Sequence, residues 1–166
     1  MWQCKIPSYT HDFMDSHREN PMSTNTLFEE ISVGQSASLS TVLTQEILDA
    51  FVKVSGDCNP AHTDPVYAAS TPLKAVVGHG VWTASIISRI LGTTFPGPGT
   101  IYLGQTLKFK RPVYLGDEIT GTVTVTQKDE KGKVWLQTIV VNQRGEAVLE
   151  GEAIILAPTS RYDLPG

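Results

Sequence analysis

The stretch Gly78-His79-Gly80-Val81-Trp82-Thr83-Ala84-Ser85-Ile86-Ile87-Ser88-Arg89-Ile90-Leu91-Gly92 decides the fold. Between its glycines, Val81, Trp82, Ala84, Ile86, Ile87, Ile90 and Leu91 fall on nearly every side of a helix. A surface helix keeps one polar face, so a helix apolar all round has to be buried. The spacing predicts a central helix over 81–91, ended by the Gly/Pro loop 92–99.

What can bury it is strand. Over 101–109, Ile101, Leu103, Gln105, Leu107 and Phe109 share one face, with Tyr102, Gly104, Thr106 and Lys108 on the other. Residues 119–127 alternate with Thr120, Thr122, Thr124 and Thr126, a β-branched pattern. Two further strands, 134–141 and 147–156, follow across turns at 128–133 and 142–146, giving hairpins in series. Upstream, alternation from Ser36 to Leu43 predicts another strand. Thr44 then offers an N-cap for a helix with apolar face Ile47, Leu48, Phe51 and Val52. One sheet with one central helix must wrap around that helix, an α+β arrangement. The open edge of such a sheet needs cover, which predicts a dimer.

The rest of the composition narrows the class by exclusion. The chain has 166 residues, 40% hydrophobic and 18% charged, as expected of one globular domain. A net charge of −4 without a Lys/Arg run excludes the electrostatic footprint of a nucleic-acid binder. No apolar run approaches the roughly 20 residues of a membrane span, and the N-terminus lacks the layout of a secretory signal. Cys4 and Cys58 do not form a disulfide framework, so reduced thiols and a cytoplasmic location are expected. Residues 1–25 read as a polar extension, 26–157 as the domain and 158–166 as a tail. Met22 could be the natural start. His11, Asp12, Asp15 and His17 in the leader read as solvated rather than metal-binding.

Chemistry concentrates between Ser55 and Pro65, in Ser55-Gly56-Asp57-Cys58-Asn59-Pro60-Ala61-His62-Thr63-Asp64-Pro65. Pro60 lacks a backbone N–H and pushes Asn59 out of the α region, so the chain turns there and regular helix is not expected. A short helical stretch is expected next, around 66–69. The turn can aim Asp57 and His62 at one small volume, and an imidazole beside a carboxylate can take and return a proton near neutrality. Taken singly, Asp57 reads first as an Asx-turn residue and His62 as a surface histidine. Their pairing ahead of Gly78-His79-Gly80 favours a proton-transfer site that holds one water.

The glycines of that second motif let backbone approach a ligand, and the first N–H groups of the following helix lack intrahelical partners. Such a helix start stabilises negative charge, including an oxyanion. The plainer reading is a tight glycine-flanked loop. Ser88, inside the helix, would ordinarily bond back to the preceding turn. Calcium, zinc, phosphate-loop and nucleophile-elbow spacings all fail, so no metal or cofactor is expected.

These residues carry a family likeness. The chain resembles the MaoC-like (R)-specific enoyl-CoA hydratases of the hotdog fold in Ser55-Gly56-Asp57, Asn59-Pro60, His62, Asp64-Pro65 and His79-Gly80. Pro96-Gly97, Gly99-Thr100-Ile101-Tyr102-Leu103-Gly104-Gln105, Phe109-Lys110-Arg111-Pro112-Val113 and Gly116-Asp117 extend the match over about residues 27–157. The resemblance implies an antiparallel sheet wrapped around one long helix, a homodimer, and syn hydration of a trans-2-enoyl thioester of CoA or of a carrier protein. By position it makes Asp57 and His62 the catalytic dyad and Gly80 N–H the donor to the thioester carbonyl. Asn59 shapes the turn, and Ser88 matches a supporting position. Lys108, Lys110 and Arg111 are candidates for the CoA phosphates. Val76-Val77-Gly78 departs from many relatives, which carry a proline there, so the mouth of the acyl pocket differs. Two alternatives remain: an acyl-CoA thioesterase of the same fold, or a non-catalytic acyl-CoA or acyl-carrier binding module.

Overall fold

The computed structural model describes residues 24–162. Expectations that fall on 1–23, including Cys4, Met22 and the His11 to His17 group, lie outside the described residues. The elements run β1 (Ser36–Val42), α1 (Gln45–Ser55), α2 (Pro60–Thr63), α3 (Pro65–Ser70), α4 (Gly80–Arg89), β2 (Ile101–Phe109), β3 (Glu118–Lys128), β4 (Lys133–Asn142) and β5 (Ala147–Leu156). All five strands form one antiparallel sheet in the order β1-β3-β4-β5-β2. The expected α+β hotdog architecture forms: the sheet curls around α4.

The contact between helix and sheet is set by a missing side chain. Alternate residues of β3, namely Ile119, Gly121, Val123 and Val125, are buried. A Cβ on Gly121 would stand 2.8 Å from Ile86 and 3.2 Å from Ile90, so α4 lies directly on the β3 backbone there. Trp82, Ile86, Ile87, Ile90 and Leu91 fill the space under the sheet against Leu136, Val140, Leu149 and Ile155. Truncating one of these, such as Ile87 at 0% exposure, to Ala is worth about 2–5 kcal/mol.

Three sequence expectations change in the structure. The central helix is not buried all round: Val81, Ser85, Ser88 and Arg89 are exposed. Five strands cover only part of a cylinder, and the polar residues mark the uncovered stripe. Nor does the helix stop at Gly92, because a π turn carries it through Thr94, with Phe95 N–H on the Ile90 carbonyl at 2.8 Å. In β2 the register slips between Tyr102 and Gly104, making Leu103 an extra residue. Ile101 therefore faces the opposite way from Gln105, and the continuous alternation expected for this strand is broken.

Of the segment expected to be a tail, the described residues 158–162 pack back on the domain. Asn25, 2% exposed, donates to the Pro98 and Ser160 carbonyls (3.0 and 2.8 Å) and accepts the Tyr162 N–H at 3.0 Å.

Candidate active site

Helix α1 ends where its chemistry begins. Thr44 caps its start by accepting the Ile47 N–H at 3.2 Å, as its sequence position predicted. Gly56 closes it in the left-handed region (φ 72°), a conformation that turns the chain sharply toward Asp57. Asn59 then adopts φ −51°, ψ 131°, outside the α region, and its side chain accepts the Ala61 N–H at 3.0 Å. Pro60 occupies the first helical position, where its missing N–H costs nothing. The proline thus starts a one-turn helix, α2, where an irregular turn was expected. Asp64 and Pro65 repeat the device for α3, with Asp64 accepting from Val66 and Tyr67.

This start-stop path aims the side chains. One oxygen of Asp57 accepts the Asn59 N–H at 3.2 Å, the Asx turn of the plainer reading, while the other lies 3.8 Å from His79 Nε2. The Asx bond does not preclude a site role, because a carboxylate has two oxygens. His62 sits on α2, half-buried, and its Nδ1–H donates to the Val77 carbonyl at 2.7 Å. Val77 grips α2 twice, since its own N–H donates to the Ala61 carbonyl at 3.2 Å. With its proton held on Nδ1, neutral His62 presents Nε2 as an acceptor.

Asp57, His62 and His79 each contribute one polar atom to a group within 4.8 Å of one another. Asp57 and His62 make no direct hydrogen bond, and the span between them suits one bridging water. A metal is a poor fit. His79 Nε2 is committed to the Asp57 carbonyl at 2.9 Å, and the two rings lie stacked rather than edge-on to a common point.

The sequence named His79 only within the Gly78-His79-Gly80 motif and the family match, with no role for its side chain, yet it is the buried member of the group, 3% exposed. Burial lowers its pKa from the ordinary value, against the raising effect of the Asp57 carbonyl; the neighbouring His62 lowers it further. Phe51 of α1 packs on its other side, ring centroids 4.9 Å apart.

Gly80 opens α4, and its N–H finds no acceptor among the described residues. A Cβ here would meet the Phe109 ring at 2.9–3.1 Å, so only glycine lets this aromatic lie against the helix start. Gly78 serves packing instead: a Cβ there would stand 2.7 Å from Leu43.

Two hollows flank this end of α4. A cavity of about 320 Å³ is lined by Val77, Gly80, Phe109, Lys110 and Arg111. On the other side lies an apolar groove of about 360 Å³ with Ile47, Phe51, Val54, Trp82 and Ile86 in its walls and Arg89 at its rim. Lys110 pairs with Glu150 at 3.3 Å, and Arg111 lies 3.8 Å from Glu146. Lys108 is exposed and does not line the cavity. Ser88 also lies apart, on the exposed stripe of α4 and about 12 Å along the axis from Gly80. The back-bond expected of it is made by Ser85, to the Trp82 carbonyl at 2.6 Å.

Comparison with known proteins bears on this arrangement. The MaoC like domain family matches residues 29–147. An (R)-specific enoyl-CoA hydratase of Rhodospirillum rubrum is 44% identical over 131 residues, which span 79% of this chain and 91% of that protein. The structure of R-hydratase PhaJ1 from Pseudomonas aeruginosa aligns with a TM-score of 0.80 at 42% identity, over 86% of this chain and 96% of that one. The (R)-hydratase from A. caviae involved in PHA biosynthesis aligns at 0.76 and 41% identity, over 78% of this chain and 99% of that one.

Proposed function

Because the chain belongs to the MaoC-like domain family, we propose that it is an (R)-specific enoyl-CoA hydratase whose reacting groups are Asp57, His62 and the Gly80 N–H. It adds water across a trans-2-enoyl-CoA to give the (R)-3-hydroxyacyl-CoA, and catalyses the reverse dehydration. The observation that carries the site assignment is the fixed tautomer of His62. With Nδ1–H on the Val77 carbonyl, Nε2 is the nitrogen left as acceptor, on a ring that groups with the Asp57 carboxylate and His79 within 4.8 Å.

In this reading each group has a task. The thioester carbonyl accepts the Gly80 N–H, and the start of α4 stabilises the charge that grows on that oxygen. Polarisation makes the β-carbon electrophilic. A water held between Asp57 and His62 gives a proton to Nε2 as its oxygen adds to the β-carbon. The imidazolium then returns that proton to the α-carbon from the same face, so addition is syn and His62 ends neutral. Asp57 orients the water and stabilises the transient imidazolium. The positively flanked cavity beside Gly80 takes the CoA arm, with Lys110 and Arg111 toward its phosphates. The apolar groove between α1 and α4 receives the acyl chain. Asn59 supports the site only through the turn it caps. Nothing in the geometry supports a part for Lys108.

A homodimer is part of the same reading. Strand β2 is a sheet edge exposing Ile101, Tyr102, Leu103, Leu107 and Phe109. An apolar edge of this length is suited to pairing with a second copy of itself. Gel filtration with light scattering should return twice the chain mass. Among the described residues no helix is long and apolar enough to cross a membrane, and Cys58 is a free thiol, which supports a cytoplasmic setting.

The test is direct. Purified protein mixed with trans-2-butenoyl-CoA should bleach the conjugated-enone absorbance without releasing thiol. The product should be oxidised by an (R)-specific, not an (S)-specific, 3-hydroxyacyl-CoA dehydrogenase. Thiol release would identify a thioesterase instead. Binding without turnover across several chain lengths would leave only a binding module.

A further inference from the structure

Three features converge on His79. Its Nε2–H donates to the backbone carbonyl of Asp57 at 2.9 Å. Its ring lies against that of His62, centroids 3.8 Å apart and planes 30° from parallel. It is also the residue immediately before Gly80, and its own carbonyl accepts the Thr83 N–H of the first turn of α4 at 3.2 Å. One buried side chain therefore touches the loop that bears the carboxylate and the ring that bears the base, on the residue that leads into the candidate oxyanion donor.

The far side of the same ring makes no polar contact. Nδ1 is buried and has no hydrogen-bond partner. A buried acceptor left unpaired is a cost, which an apolar residue at this position would avoid. Capping does not account for the imidazole either, since His79 is the N-cap residue of α4 but its side chain makes no cap bond. One ring face packs on Phe51; the Nε2–H donor and the other face are directed at the proposed dyad.

We propose that His79 is a positioning residue that holds the Asp57 loop, the His62 ring and the Gly80 N–H in one fixed register. The proposal rests on the hydratase reading only for its kinetic test. Without His79 the Asp57 peptide loses its tether across 22 residues of sequence, and His62 loses the surface that fixes its plane. Displacements of about 1 Å at a reacting group can cost about 10²-fold in rate. Substrate is held by the cavity and groove on either side, so affinity depends on His79 far less than turnover does.

The variants separate its parts. His79→Leu removes donor and ring. His79→Gln places an amide N–H near the Nε2 position, whereas the shorter His79→Asn places its nitrogen near Nδ1, out of reach of the Asp57 carbonyl. We expect His79→Leu to lower kcat by about 10²-fold with KM within a few-fold of wild type. His79→Gln should recover at least about tenfold of that loss, and His79→Asn should not. Equal kcat for the Gln and Asn variants, or a folded Leu variant within about threefold of wild type, overturns the proposal; the Gln and Asn comparison decides it if the Leu variant does not fold. Nitrogen-15 NMR of the ring nitrogens gives a readout independent of any substrate. In wild type His62 should be the Nδ1–H tautomer; in His79→Asn, where the ring has lost the surface that keeps it on the Val77 carbonyl, it should become a mixture. An unchanged His62 tautomer in a kinetically impaired variant would also count against the proposal. If wild type turns over no enoyl-CoA but the NMR result holds, the hydratase reading fails and the positioning role stands.

Discussion

The Nδ1–H of His62 donates to the carbonyl of Val77 at 2.7 Å, across 15 residues of sequence. That single bond decides which nitrogen of the imidazole is basic toward the site, because the neutral ring cannot keep a proton on both. It also ties α2 to the segment that leads into α4, so the proposed base and oxyanion donor are set relative to each other by backbone.

Asp57→Asn and His62→Gln each remove a group proposed to handle the water. Each should lower kcat for enoyl-CoA hydration by about 10²–10⁴-fold while leaving the thermal midpoint nearly unchanged. Both side chains are partly solvated, so little packing is lost. Loss of enone absorbance under saturating substrate measures the first quantity and calorimetry the second.

Gly80→Ala should harm both stability and rate. Its Cβ would stand 2.9 Å from Phe109, tighter than a side chain tolerates, at a cost of about 1–3 kcal/mol. The double variant Gly80→Ala/Phe109→Leu should regain most of the stability in urea titrations. If the pair is no more stable than the single variant, the contact is not the cause.

Gly121→Val tests the seat of the central helix. The nearest carbon of Ile86 lies 2.8 Å from the position of the new Cβ, with Ile90 and Ile87 close behind. We expect a loss of about 1–3 kcal/mol or more, partly restored by Ile86→Ala. An unchanged urea midpoint would show that α4 does not rest on β3 as described.

His79 makes stability depend on pH in a defined direction. Burial lowers its pKa in the folded chain below the ordinary 6.5. Between the lowered value and 6.5 the unfolded state binds more protons, so stability rises with pH there. The contribution is complete above that window and falls away as pH drops through it. Urea midpoints should therefore fall more steeply from pH ~7.5 to pH ~5.5 in wild type than in His79→Gln, which has no proton to bind. Parallel slopes would contradict the buried, neutral state of this ring.

Arg111→Glu should raise KM for the CoA thioester several-fold with little change in kcat, and the effect should shrink as salt is added. Lys108→Glu is the control, since Lys108 does not line the cavity.

Much of this site was legible before any coordinates. The Gly56 turn, the Thr44 cap, the Asn59-Pro60 break and the β-branched alternation are local signals, and each acts within four residues or so. They misled only where a local rule had a second outcome. Pro60 both bars the preceding residue from helix and suits the first position of one, and the structure takes the second course. Apolar residues on nearly every side of α4 implied full burial, but Ser85, Ser88 and Arg89 already marked the stripe the sheet leaves open.

By itself the sequence determined the order of elements, the wrapped helix and the carboxylate and imidazole of the proposed dyad, because periodicity, caps and turns are written in neighbouring residues. Only the tertiary structure decided which nitrogen of His62 is bonded to backbone, that His79 lies against its ring, that Phe109 covers Gly80, and that Lys108 and Ser88 stand apart. Those relationships join residues 15 to 29 positions apart or more, or depend on a strand's register after a bulge. Their distances follow from how the sheet closes on the helix, which no local pattern encodes.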